Sequence, residues 1–525
     1  MREHSHFRKF IDLLFKLKSK TPLEKLAIIK NIARCGFLRL IISIMLMGLA
    51  INTSYSLTSE YSQFLPDLGD SDRTNLSQQD ATFLGQQIIQ QIANRGDMLV
   101  DYDLNAYLNS LGGELVSFSS LATIQPFKFY AVKGKEINAF ALPGGFICIY
   151  NGLIYTTDSE AELSGVMAHE IGHIVQHHIF RNISVYNRNQ WLALAGVLTG
   201  ALLAPINPGA AIVAASSGQG LAIQNILSFS RDFEREADRV GQEIMYNAGF
   251  DAHAMPAFFG KLNSVNKFNN NDALAFLQTH PVTLERLSEA ELRANTLSAK
   301  MKPDSKTFLM MREKCRVRQL GIASAINYYQ QALKTKRYVD INVIYYGLAF
   351  TYLSNDSPSN ALLYLNKISD NTISNHPAFY SLKAQAYGKM NNYKASSKVY
   401  DQALSIYPDY KGLWIGKVDT EIGAKQYKKA ASELHELSIK YPNDTDIWTR
   451  IAFIYSDANL NNQQIYLYAV GNQQYILGNL KMALAKYQQA IKVASKKSDD
   501  TLNNIIISKI VDTQPRIKAN AKYGK

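Results

Sequence analysis

Five residues, His169-Glu170-Ile171-Gly172-His173, constrain the fold of this chain more than any others. They lie in a run from Glu160 to Phe180 that is rich in helix formers, with apolar residues at helical spacing. On a helix, positions i and i+4 share a face, so both imidazoles can meet one metal ion while Glu170 stands beside it. Zinc lowers the pKa of a bound water to about 7, and Glu170 is placed to take its proton and later pass it to a leaving amine. Given 10 histidines in 525 residues, such a pattern arises by chance with a probability of roughly 0.006. Two imidazoles are too few for a catalytic zinc, which takes three protein groups and a water. The fold must therefore lay a second element over this helix.

The segment from Ser230 to Gly241, SRDFEREADRVG, supplies a candidate. Glu234 and Asp238 stand at i and i+4, so one can bind the metal while the other orients a ligand from behind, and spacing alone leaves open which does which. Glu236 is expected to point elsewhere on that helix, and His177 and His178 are expected at the surface. Cysteine chemistry is not expected from three cysteines, Cys35, Cys148 and Cys315, without a CxxC pair.

MAHEIGH followed after a long interval by EREAD resembles the HtpX and CAAX prenyl protease family of gluzincin metallopeptidases. LPDLGDS (65–71), EINAFALPGG (136–145), VMAHEIGH (166–173) and QTHPVTLERL (278–287) narrow the likeness to its soluble, exported BepA-like branch. The resemblance covers about residues 60–300 and extends into a tetratricopeptide-like C-terminal part. It implies one Zn2+ per chain held by His169, His173 and Glu234, with Glu170 as the base and Asp238 as the carboxylate that orients a ligand from behind. It also implies that His280 reaches the metal as a reversible fourth ligand that keeps the enzyme latent. Arg286 either stabilises a developing oxyanion or braces the loop that carries His280. In this branch the strand-like EINAFALPGGFICIY forms an edge beside the active site, where an extended peptide can add as a further strand. Pro143-Gly144-Gly145 reads equally well as a plain hairpin turn. Trp191–Ala204 and the small residues to Ser217 flank the cleft as a lid or partner-facing loop, or form a buried core helix. Gly218-Gln219-Gly220 lacks the strand, Lys and Ser/Thr of a phosphate loop.

Charge divides the chain into three. Residues 1–56 carry 10 basic and 3 acidic side chains, residues 57–315 carry 19 and 26, and residues 316–525 carry 27 and 15. The basic leader precedes an apolar run at 40–51, too short to span a bilayer, which needs about 20 residues. It reads as a signal peptide cleaved after Ser56, or as a retained N-terminal anchor. From residue 316 to 495 a helical repeat is visible: Ala384, Tyr393, Tyr400, Ala403 and Pro408 recur 34 residues later as Val418, Tyr427, Leu434, Leu437 and Pro442. Ala325, Tyr329, Ala332 and Gly347 give a looser copy upstream, and Gly471, Ala483, Tyr487 and Ala490 another downstream.

The expected fold is α+β and mostly helical: a zincin-like metallopeptidase domain with a small edge sheet at 57–315, then an α-solenoid of tetratricopeptide repeats at 316–495 and a basic tail at 496–525. The function this implies is an exported periplasmic zinc endopeptidase in the quality control and assembly of outer-membrane proteins. Its partners would be unfolded or stalled outer-membrane proteins and, through the repeats, the envelope assembly machinery, with no nucleic acid and with membrane association if the leader is retained. The alternative is a chaperone or scaffold with latent or minor proteolysis.

Overall fold

Ser159 opens the helix around which the first half of the molecule is built. Its hydroxyl accepts from the Glu162 amide, and Glu160 and Glu162 sit in the first turn, where the helix dipole favours negative charge. The structure is a computed structural model describing residues 78–120, 126–183, 230–267, 274–300, 302–456, 459–494 and 500–523. The leader at 1–56, the LPDLGDS motif, the stretch from Trp191 to Ser217 and Gly218–Gly220 lie outside the described residues.

In the first half the elements are α1 (Gln78–Asn94), α2 (Tyr102–Ser117), β1 (Lys128–Val132), β2 (Ala139–Leu142), β3 (Phe146–Tyr150), α3 (Asn151–Thr156), α4 (Glu160–Val175), α5 (His178–Ile183), α6 (Arg231–Asn247), α7 (Ala254–Lys267), α8 (Leu274–Thr279) and α9 (Leu284–Thr296). The sheet order is β1-β3-β2, with β3 parallel to β1 and antiparallel to β2. All five residues of β3 are buried, so both faces of this central strand are covered, and β2 is left at the edge. The expected edge strand and the expected hairpin are therefore the same feature. α4 is buried along nearly its whole length against α2, β2, α6 and α7. Glycines let α6 approach it closely. A Cβ on Gly241 would lie 2.8 Å from the His169 amide nitrogen, and one on Gly172 would lie 2.9 Å from the Ala237 carbonyl oxygen.

The second half is wholly helical among its described residues: α10 (Lys306–Leu320), α11 (Ile322–Thr335), α12 (Ile341–Ser354), α13 (Pro358–Leu365), α14 (Asn371–Ser374), α15 (Pro377–Lys389), α16 (Tyr393–Ile406), α17 (Lys411–Gly423), α18 (Tyr427–Lys440), α19 (Thr445–Ile454), α20 (Gln463–Ile476), α21 (Leu480–Lys492) and α22 (Asp500–Tyr523). Most of these helices pack chiefly on their neighbours in sequence. A recurring device joins them: the buried rings of Tyr329, Tyr400 and Tyr487 lie against the bare backbones of Gly347, Gly416 and Gly471. The segment expected as a basic tail is helix α22, which buries Ile506 against Leu467, Ala483, Tyr487 and Ala490.

The expected boundary between residues 315 and 316 falls inside α10. That helix contributes Phe308, Met310, Met311 and Cys315 to the core shared with α4 and α12, while Val317 packs with the Tyr329 cluster. Further along, the array returns to the first half. Tyr102 donates to Asp446 at 2.7 Å, Tyr410 donates to Asp103 at 3.0 Å, and Gln90 donates to the Ile476 carbonyl at 2.6 Å. Beneath these contacts Lys314 is buried between Asp101 at 2.7 Å and Asp103 at 2.9 Å.

Candidate metal centre

Four side chains converge between α4, α6 and the turn after α8. His169 and His173 project from one face of α4, as the i, i+4 spacing dictates, with their Nε2 atoms 3.0 Å apart. Ser230 caps α6 by accepting from the Phe233 amide, so Glu234 lies in the first turn of that helix. One Glu234 oxygen is 3.3 Å from His173 Nε2 and 3.0 Å from His280 Nδ1, and the other is 3.5 Å from His169 Nε2. His280 Nδ1 in turn lies 3.3 Å from His169 Nε2. All four residues are buried.

Glu170 is fully buried beside the cluster, and among the described residues neither of its oxygens has a hydrogen-bond partner, His280 Nε2 lying 3.5 Å away. A buried carboxylate in that state is costly unless it faces something polar. Asp238, one turn beyond Glu234, sets Oδ1 2.9 Å from His169 Nδ1. Of the two carboxylates on α6, Glu234 thus faces the cluster and Asp238 stands behind His169.

Arg286 follows Thr283, which caps α9 by accepting from its amide. The guanidinium donates to both oxygens of Asp238 at 2.7 and 2.8 Å, donates to the Pro281 carbonyl at 2.7 Å and lies 2.6 Å from Glu234. These contacts fit the loop-bracing reading of Arg286 and leave the oxyanion reading without geometric support, because the group faces two carboxylates and the loop carbonyl after His280.

Electrostatics follow from burial and these pairs. Burial disfavours the His169 imidazolium, but Asp238 and Glu234 override it and push its pKa up to about 10. At His173 burial dominates and the pKa falls well below the ordinary imidazole value. Burial also opposes ionisation of Glu234, yet His280, His169 and His173 hold its carboxyl well below the usual range. Burial is likewise outweighed at Asp238 by bonds from Arg286 and His169, which lower its pKa.

Two residues contradict the surface and outward positions expected for them. His178 is fully buried: its Nδ1 lies 3.0 Å from His173 Nδ1, its Nε2 lies 3.1 Å from Glu236, and its ring stacks on Phe233 at 4.4 Å. His177, with φ 55°, turns the chain between α4 and α5 so that His178 comes back beneath His173. No helical periodicity could have shown this, because the turn interrupts the helix. Glu236, expected to point away, reaches back to His178.

The donor set fits a metal ion. One ligand atom from each of the four residues lies within 4.8 Å of the others, and the edges His169–His173, His169–His280, Glu234–His173 and Glu234–His280 run from 3.0 to 3.3 Å, near the roughly 3.3 Å between tetrahedral ligands bound at about 2.0–2.1 Å. Together His169, His173, Glu234 and His280 form a group able to hold a metal. Residues 103–294 match the model of peptidase family M48. The chain is 29% identical to the beta-barrel assembly-enhancing protease of Yersinia pestis over 411 residues, covering 76% of this chain and 82% of that one. It is 34% identical to the protein of the same name from Escherichia coli K12 over 258 residues, about half of each chain (49% and 52%). A mitochondrial metalloendopeptidase OMA1 of Arabidopsis thaliana is 32% identical over 164 residues, covering 31% of this chain and 30% of the relative. With its histidines and carboxylates gathered as a metallopeptidase requires, the chain resembles peptidase family M48 over residues 103–294 and is a metalloprotease similar to the beta-barrel assembly-enhancing proteases.

Proposed function

We propose that this protein is an exported zinc endopeptidase of the bacterial cell envelope, acting in the periplasm on unfolded or stalled outer-membrane proteins. The observation that carries the reading is the convergence of His169, His173 and Glu234 beside a buried Glu170 whose oxygens have no hydrogen-bond partner among the described residues. Converging imidazole and carboxylate donors suit zinc, which when bound would supply Lewis acidity for peptide hydrolysis. Glu170 takes a proton from the attacking water and returns it to the leaving amine. Asp238 holds His169 in orientation, and Arg286 steadies Asp238, Glu234 and the turn after His280. The names of the relatives support the substrate class. The 34-residue recurrence and the Tyr-on-Gly packing support a tetratricopeptide solenoid that recruits substrates or assembly machinery.

A latent resting state is favoured by one further observation: His280 lies within the same cluster as the other three candidate ligands. With four protein groups on the metal, hydrolysis requires the loop carrying His280 to withdraw.

The test is hydrolysis of casein and of an unstructured peptide by the full chain, with metal content measured alongside. Glu170→Gln should retain stoichiometric zinc while activity falls by about 10²–10⁴-fold. His280→Ala should keep zinc and raise activity. Full activity in Glu170→Gln would remove the base from Glu170, and a drop in His280→Ala would make that histidine a participant in turnover instead of a latch.

A further inference from the structure

The two histidines of the HExxH helix are supported unequally. Behind His169 stands a carboxylate, Asp238, at 2.9 Å. Behind His173 stands another imidazole, His178, at 3.0 Å, and only beyond that a carboxylate, Glu236, at 3.1 Å. We propose that Glu236 and His178 form a two-step positioning relay that fixes the tautomer and ring orientation of His173 for metal binding.

The proposal rests on the metallopeptidase reading and follows from hydrogen-bond roles. His173 directs Nε2 into the cluster, so as a neutral ligand it carries its hydrogen on Nδ1. That N–H faces His178 Nδ1, which must accept. His178 then carries its own hydrogen on Nε2, which faces Glu236 and donates to it. Each group has one role consistent with its neighbour, and the direction of the chain is set by the carboxylate at its end. Reversing it would place a hydrogen on His173 Nε2, where the metal must bind.

The surroundings hold the relay in place. Phe233 lies parallel to the His178 ring, at 9°, and the Arg181 guanidinium sits over the other ring at 5.2 Å from the Phe233 centroid. The same guanidinium is 3.6 Å from Glu236. His177 adopts a left-handed conformation that a residue with a Cβ adopts at a cost of about 1 kcal/mol or more, and it does so where the chain must fold back to deliver His178. Phe233 and Glu236 share α6 with Glu234 and Asp238. One helix therefore supplies a candidate ligand and the backing for both histidines of its neighbour.

The test uses the full-length protein, stripped of metal and titrated with zinc(II) against a competing chelator, and with cobalt(II) for its visible spectrum. His178→Ala should weaken zinc affinity by about 10–100-fold, the range found when a ligand histidine loses its supporting partner, and should change the cobalt bands. His178→Gln, whose carbonyl can accept from His173 and whose amide can donate to Glu236, should recover much of both. Glu236→Gln should lose less, and the double variant His178→Ala/Glu236→Gln should be no weaker than His178→Ala alone, because the two act in series. If His178→Ala does not fold, judged by the melting curve of the metal-free protein, His178→Gln and the partly exposed Glu236→Gln carry the test. Wild-type zinc affinity and cobalt spectrum in His178→Ala, or additive losses in the double variant, would overturn the relay. A wild-type protein that binds neither metal would instead overturn the metallopeptidase reading on which it rests.

Discussion

The two halves of the molecule bury different chemistry. Among the described residues before α10, thirteen Asp, Glu, His, Lys and Arg side chains are buried, whereas from α10 onward there are three, Glu313, Lys314 and Glu421. The first half takes charges out of water and recovers their desolvation through pairing, which places reactive groups but makes each depend on its partner. The array does the reverse: Ala, Leu and Tyr fill its interior, and glycines admit the rings of Tyr329, Tyr400 and Tyr487. Both halves are held by apolar cores, but the core of the first also encloses charges that must stay paired.

Cutting a charge pair in the first half should therefore be the most damaging single change. Arg286→Ala leaves Asp238 and Glu234 buried without their cation, and should destabilise the protein by about 3–5 kcal/mol, as read from urea unfolding, while weakening zinc retention. A loss below 1 kcal/mol would show that the cluster tolerates solvent and would weaken the contrast. Next in size, Gly416→Ala sets a methyl group into the Tyr400 ring and should cost about 1–3 kcal/mol with zinc affinity unchanged. Adding Tyr400→Leu should restore part of that loss, which a backbone effect at position 416 would not allow.

The smallest effect concerns the junction between the halves, where Arg318 still pairs with Asp101 when Lys314 is lost. Burial opposes ionisation of Asp101, but Lys314 and Arg318 outweigh it and lower its pKa below the usual carboxylate value. A depressed carboxyl pKa contributes stability that is complete above the unfolded value of about 3.9 and is lost as pH falls through the folded value. Wild-type protein should therefore keep this contribution from neutral pH down to about pH 4 and lose it below. Lys314→Met should show a deficit that narrows as the pH drops from 5 to 2, because protonation relieves the stranded Asp101 carboxylate. A deficit independent of pH would assign Lys314 a packing role alone.

What could be read from the sequence was what short-range spacing encodes. His169, His173, Glu234 and Asp238 lie at i, i+4 on two helices, so the faces they share follow from the helical period. Tyr400 and Ala403 announced a repeat because apolar residues, Leu434 and Leu437, stand 34 residues later at the same spacing. His178 and Glu236 escaped because their meeting depends on a left-handed residue at His177 and on how α6 crosses α4. The boundary at 315/316 was misplaced by a shift in charge composition, which says nothing about which core a helix serves. For the same reason α22 looked like a tail: its lysines are visible in the sequence, but the burial of Ile506 is not.

Helix Lys306–Leu320 has a bearing on how such proteins can be recombined. Its apolar residues complete the core around the HExxH helix and begin the array, and Lys314 on the same helix anchors Asp101 and Asp103. A chimera that exchanges the C-terminal helices of two relatives at residue 315 would pair half a helix from each parent and ask two foreign surfaces to agree on one interior. A crossover at Gly321, where φ is 79° and the helix has ended, keeps that interior with one parent. Even there the graft must bring its own partners for Tyr102 and Gln90, so inheritance of the array is tied to side chains more than 200 residues before it.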